Sequence, residues 1–208
     1  MPLIQHALSI TDHPLPVRPA RYIEVASARI REFTHSPVSD AMIGFVPSDY
    51  QLVYRTLDCL LDLTRGRRFC EWGSGFGVVA GLATMLGFQA YGIEVESILV
   101  QESIRLADEF NLNTQFVEGS FVPTGGPEFV DVIDQITCLD LDRRPAYGAL
   151  GIDPDEFDAI FVYPWPGETR FVNELFETFA PVGAFMVSFH GRQDVRVHEK
   201  VTSTRRRN

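Results

Sequence analysis

The sequence predicts an α/β fold, a doubly wound and mainly parallel sheet in three α/β/α layers. Three observations carry that reading. From about residue 68 onward, short apolar runs bounded by turn residues alternate with segments of helical period, the order expected of βαβ units. One of those runs ends in a glycine-rich turn, Glu71-Trp-Gly-Ser-Gly-Phe-Gly77, which opens directly into a small-residue helix. The chain, 208 residues with 45% apolar side chains, is also long enough to bury one substantial core.

Residues 1–20 carry Pro2, Pro14, Pro16 and Pro19 and read as an irregular lead-in. A helix is expected over Arg21–Phe33, with Ile23, Ala26 and Ile30 spaced for one buried face. Phe45-Val46-Pro47 leads to Ser48, and Gln51 follows three positions later, the spacing of a capping box. The helix it opens places Tyr50, Val53, Tyr54, Leu57, Leu60 and Leu61 on one stripe. These features divide the chain into an N-terminal extension with one helix, 1–44, and a ligand-binding domain, 45–208.

Within the second part, strands are expected at Arg68–Glu71, Ala90–Glu94, Gln115–Glu118, Asp158–Tyr163 and Ala184–Phe189. The intervening helices run from Val78 to Leu86, through Val100, Ile104 and Ala107, and through Phe171, Leu175 and Phe179. A long acidic stretch, 122–156, separates the third and fourth strands; a helix is read around Phe129–Leu139, and so long a connection suits a lid or a surface insertion. Only 19 residues follow Phe189, where Val195, Val197 and Val201 alternate loosely enough for one antiparallel strand. Without that strand the fifth would be an open edge, available for pairing in a homodimer.

Net charge is −10, and the tail from Arg192 to Asn208 holds six of the 18 basic residues but two of the 28 acidic ones. The rest of the chain is therefore strongly acidic and lacks the basic face that nucleic-acid backbones require. No run of 18 apolar residues suggests a membrane span, and the first residues lack the basic and apolar regions of a secretory signal. Cys59, Cys70 and Cys138 are odd in number with no CxxC spacing, and the histidines form no ligand pattern, so neither a disulfide framework nor a metal site is read. A cytoplasmic location is expected.

The glycine turn is where ligand chemistry concentrates. Gly73, Gly75 and Gly77 at a strand-to-helix junction let backbone approach a ligand closely. A second acidic residue, Glu94, lies 23 positions after Glu71 at the end of the next strand, where a carboxylate can accept from both ribose hydroxyls. Glu96 is its neighbouring rival. A dinucleotide-binding oxidoreductase would want a small residue where Val78 stands, and Glu71 would repel its pyrophosphate.

Glu71-Trp-Gly-Ser-Gly-Phe-Gly77 with Tyr91-Gly-Ile-Glu94 resembles the class I S-adenosylmethionine-dependent methyltransferases, whose core is Rossmann-like. The resemblance implies S-adenosyl-L-methionine as cofactor, held by Glu71, Gly73, Ser74, Gly75, Gly77, Glu94, Val95, Ser120 and Phe121. Ser120 stands where that family commonly has an aspartate against the adenine amino group. In Tyr163-Pro-Trp-Pro-Gly-Glu168, Tyr163 occupies the place of the family's polar residue. Tyr163 and Glu168 are the catalytic candidates, ahead of His190, and Trp165 and Tyr50 are assigned to the acceptor. Tyr163 and Trp165 suit lining the sulfonium by cation–π contact; the alternative is that both cap the core beneath the loop.

The C-terminus is shorter than that family's helix and hairpin require, implying a C-terminally shortened core. Gly44-Phe-Val-Pro-Ser48 before the same core is similar to some small protein-lysine methyltransferases, so the implied acceptor is a small molecule or a protein side chain. A non-catalytic cofactor-binding partner subunit is the alternative.

Overall fold

The computed structural model describes residues 2–37, 45–126 and 143–202. Its centre is a seven-stranded sheet formed by β1 (Leu3–His6), β2 (Arg68–Trp72), β3 (Gln89–Glu94), β4 (Gln115–Glu118), β5 (Ala159–Val162), β6 (Phe185–Phe189) and β7 (Val195–Lys200). Their order across the sheet is β1-β7-β6-β5-β2-β3-β4. The strands from β6 to β4 run parallel, while β7 is antiparallel to both β6 and β1.

Alternation along the strands assigns the two faces. In β2, Phe69 packs with the helices on one side and Cys70 and Trp72 with those on the other. Both faces are covered, which is why β2, β5 and β6 read as nearly continuous apolar runs. On the first face lie α1 (Val17–Thr34), α2 (Tyr50–Leu60), α3 (Val78–Met85) and α4 (Ser97–Glu109). On the second lie α5 (Tyr147–Leu150) and α6 (Thr169–Phe179), the latter burying Phe171, Val172, Leu175 and Phe176 against Ile160, Val162 and Met186. Each large apolar side chain buried in this way contributes about 1.5–3 kcal/mol.

Several sequence expectations are corrected. The lead-in contains β1, which pairs with β7 in the register Leu3 with Lys200 through His6 with Val197. Being antiparallel to β7, β1 runs in the direction of β6 and forms the outer strand on that side of the sheet. The edge of β6 is therefore covered by β7 and then β1 of the same chain, which removes the open edge that pointed to a homodimer. The helix after Pro47 is capped by Asp49, whose carboxylate accepts from Leu52 N–H at 3.0 Å, and not by Ser48.

In α1 the buried stripe is Pro19, Tyr22, Ala26 and Ile30, with Ile23 turned to its margin. Ile104 is 42% exposed, while Leu99, Val100, Ser103, Leu106 and Ala107 face inward on α4. The helix read around Phe129–Leu139 lies outside the described residues. No described helix is long and apolar enough to cross a membrane.

Candidate functional site

The turn after β2 is held at three points. Ser74 N–H donates to the Ile93 carbonyl at 2.9 Å, Gly77 N–H to the Ser74 carbonyl at 2.7 Å, and Gly75 N–H to Glu94 Oε2 at 2.8 Å. Gly73 and Gly77 both have positive φ, +68° and +65°, a region that L residues with a Cβ adopt only under strain. Their surroundings differ. A Cβ on Gly73 would meet open space, whereas one on Gly77 would strike the Phe116 ring and stand 2.7 Å from Ser103 Cβ. Gly75 makes room for Phe45, whose ring would lie 2.6 Å from an added Cβ.

The open space beside Gly73 is a cavity of about 410 Å³ at the carboxyl ends of β2, β3 and β5. That is where ligands bind in doubly wound sheets, and the size suits a small-molecule site. The cavity brings together Glu71, Gly73, Ser74, Gly75, Glu94 and Val95, then Ser120 and Phe121, and with them Tyr50, Tyr163, Trp165 and Glu168. Gly77 is not among the lining and instead lets the turn pack against Phe116 of β4 and Ser103 of α4. His190 is not among the lining either; its Nε2 lies 2.9 Å from Ser188 Oγ, and burial pushes its pKa down.

The acidic residues are tightly engaged. Glu71 Oε2 accepts from Ala80 N–H at 2.8 Å, so it caps α3, whose own N-cap is a glycine with no side chain to offer. Desolvation pushes the Glu71 carboxyl well above its ordinary value, against the lowering effect of the Ala80 N–H, with Glu94 nearby adding to the rise. Glu94 Oε1 accepts from Val95 N–H at 2.8 Å and from Glu96 N–H at 3.0 Å. Burial raises its pKa and those backbone bonds oppose the rise. A carboxylate has about four acceptor positions, and Glu94 uses three on backbone, leaving one on Oε2.

Elsewhere in the wall, Ser120 Oγ accepts from Val122 N–H at 3.1 Å, which leaves its own hydrogen free to donate. Phe121 stacks on Trp72 with ring centroids 5.2 Å apart, and Tyr147 Oη donates to the Phe121 carbonyl at 2.5 Å. Glu168, 3% exposed, accepts from Trp165 N–H at 3.0 Å, which fixes its carboxylate within the Pro-Trp-Pro turn. Tyr163 packs edge-on against Phe189 at 4.8 Å. Tyr50 has its phenol pKa pushed up, first by burial and then by Glu71.

Phe45, Val46, Ser48, Glu96, Leu99 and Gly119 also line the cavity and were not assigned to it from the sequence, Glu96 having been considered only as a rival to Glu94. Phe45 and Val46 carry no helical or strand period that would point to the cavity, and Phe45 also packs against Phe33 and Phe76.

No family model matches the sequence, and no curated protein matches it. Solved structures do match the fold. An RNA methyltransferase from Salinibacter ruber in complex with S-adenosyl-L-homocysteine aligns with 78% of this chain and 98% of its own, at 17% identity and a TM-score of 0.53. The O-methyltransferase from Bacillus cereus, also with S-adenosylhomocysteine, aligns over 84% of this chain and 66% of its own, at 14% identity and a TM-score of 0.50. The chain thus has the Rossmann-like fold of class I methyltransferases.

Proposed function

We propose that this chain binds S-adenosylmethionine at the carboxyl ends of β2, β3 and β5 and transfers its methyl group to an acceptor. The observation that carries this reading is the charge of the cavity. Glu71, Glu94, Glu96 and Glu168 line it, and none of its described lining residues is a lysine, arginine or histidine. A dinucleotide would bring its pyrophosphate among carboxylates in a poorly solvated space. A nucleoside that carries an ammonium and a sulfonium and no phosphate suits the same walls.

The residues fit that cofactor on their own evidence. Gly73 leaves the volume a Cβ would fill, and Ser74 Oγ is buried with no hydrogen-bond partner. In this reading Glu94 accepts from a ribose hydroxyl through the acceptor position left on Oε2. Val95, Ser120 and Phe121 hold the adenine, and the Gly73–Gly75 backbone and Glu71 face the amino-acid end. When bound, the cofactor supplies a methyl group on positively charged sulfur, which departs as a neutral thioether as the acceptor's lone pair takes the methyl carbon. Tyr163 and Glu168 stand at that end, and Tyr50 and Trp165 border the acceptor. Direct displacement of this kind depends chiefly on alignment of the reacting atoms, which the aromatic side chains of the cavity can enforce.

The two similar structures named above each hold S-adenosylhomocysteine, which supports the same reading here. A ligand panel followed by thermal unfolding tests it. S-adenosylhomocysteine is expected to raise the unfolding temperature and nicotinamide dinucleotides to leave it unchanged; the reverse pattern would make the chain a dinucleotide-binding protein.

A further inference from the structure

We propose that the Tyr50 hydroxyl binds the carboxylate of the cofactor's amino-acid end and so sets the position of that end in the cavity. The inference rests on the cofactor reading above and deepens it by naming the partner of the ligand's one anionic group.

S-adenosylmethionine and S-adenosylhomocysteine both end in an ammonium and a carboxylate. The acidic lining suits the first and not the second. A carboxylate removed from water needs hydrogen-bond donors in exchange, and none of the described lining residues is a lysine, arginine or histidine. The internal segments outside the described residues, 38–44 and 127–142, contain none in the sequence either. Neutral donors must therefore meet this charge.

The glycine turn has few left to offer. Ser74 N–H is spent on the Ile93 carbonyl, Gly75 N–H on Glu94 and Gly77 N–H on the Ser74 carbonyl. Ala80 N–H, in the first turn of α3, is spent on Glu71. Among the hydroxyls, Ser74 Oγ stands 2.9 Å from the Cβ position of Gly92, on the strand whose Glu94 receives the ribose. Tyr163 Oη stands 3.3 Å from the Cβ position of Gly191, beyond the end of β6. Ser120 belongs to the nucleobase end.

Tyr50 remains, its ring bordering the acceptor and its hydroxyl without a partner among the described residues. It opens α2 and packs against both clusters of that face, one holding Val79 and Ala80 and the other Phe76 and Val78. It therefore stands with Glu71 at the amino-acid end, away from the adenine wall. Burial, then Glu71 and Tyr22, hold the phenol protonated, so it is a neutral donor across the ordinary pH range. A hydrogen bond from it to a carboxylate is charge-assisted and among the stronger kinds.

S-adenosylhomocysteine and its decarboxylated analogue, S-adenosylthiopropylamine, share nucleoside, sulfur and ammonium and differ only in the carboxylate. By calorimetry, wild type is expected to bind S-adenosylhomocysteine about tenfold tighter than the analogue. Tyr50→Phe keeps the ring and is expected to lose about tenfold on S-adenosylhomocysteine while staying within about twofold on the analogue. The preference then disappears with the hydroxyl. An equal loss on both ligands, no loss on either, the same selective loss in Ser48→Ala instead, or a wild-type preference for the analogue would overturn the proposal. The wild-type comparison decides even where Tyr50→Phe does not fold. Failure of both ligands to bind wild type would remove the cofactor reading and this inference with it, whereas the other patterns remove this inference alone.

Discussion

Glu94 ties the glycine turn to the end of β3: its Oε2 takes Gly75 N–H at 2.8 Å while its Oε1 takes the N–H groups of Val95 and Glu96. One side chain thus sets the turn, the start of α4 and one wall of the cavity. Glu94→Ala removes the acceptor of three backbone donors, of which Gly75 N–H is buried, and is expected to weaken S-adenosylhomocysteine binding by about 2 kcal/mol or more. It should also lower the unfolding temperature. Glu94→Gln keeps an acceptor for Gly75 and should recover part of the stability but little of the affinity. Calorimetry and thermal unfolding of both variants check this, and wild-type affinity in Glu94→Ala would remove the residue from the site.

Glu71 gives the protein a pH dependence. Burial raises its folded-state pKa well above the ordinary value of 4.5. Between the unfolded-state and folded-state values the folded protein therefore holds a proton that the unfolded chain has released, and this contribution to stability is complete below about pH 4.5 and is lost as pH rises through the folded-state value. Glu71→Gln cannot lose such a proton. Its stability relative to wild type is expected to improve steadily as pH rises from about 4.5 toward neutrality, measured by urea unfolding at a series of pH values. Parallel curves for the two proteins would contradict the assignment. A cationic ligand favours the ionised form, so S-adenosylmethionine affinity should rise with pH over the same window.

The glycines of the turn should separate into binding and packing positions. Gly77→Ala places a Cβ against Phe116 and Ser103 at positive φ and is expected to cost about 2–4 kcal/mol of stability. Gly73→Ala carries the backbone strain alone, about 1–2 kcal/mol, but its methyl enters the cavity. It should therefore lose S-adenosylhomocysteine affinity out of proportion to its stability. Urea unfolding and calorimetry on both proteins make the comparison.

Gly81 lies within α3, where alanine would ordinarily gain about 1 kcal/mol. Here an added Cβ would run into the Tyr22 hydroxyl and ring, and Tyr22 is wholly buried, with its hydroxyl donating to the Gly77 carbonyl at 3.4 Å. Gly81→Ala is expected to destabilise by about 1–3 kcal/mol, and part of that should return in a Tyr22→Phe background. A double-mutant cycle measures the coupling; additive effects would show that the two residues do not meet.

Much of the core was legible because its signals are local. Gln115–Glu118 and the start of α3 at Val78 come straight from hydrophobic period and the glycine turn. β1 was hidden because Leu3–His6 offers four residues beside prolines, and what makes it a strand is a partner nearly 200 positions away. Ile104 misled because helical period gives a stripe and not its phase, and Ser103, with its hydroxyl satisfied by the Val100 carbonyl at 2.7 Å, takes the inward position. Asp49 and Ser48 are both good caps, and only backbone geometry chooses between neighbours.

In the site, residues at strand ends were readable because topology gathers them: Glu71, Glu94, Ser120 and Tyr163 all reach one cavity. The role of Gly77 was not, since a glycine demanded by Phe116 and one demanded by a ligand look alike in sequence.

A crystal structure with S-adenosylhomocysteine bound tests the central claim most directly. The ligand is expected between the Gly73–Gly75 backbone and the wall formed by Ser120 and Phe121, with a ribose hydroxyl at hydrogen-bond distance, about 2.5–3.2 Å, from Glu94. Ligand density elsewhere on the molecule, or a nucleoside in this cavity that leaves Glu94 untouched, would contradict it.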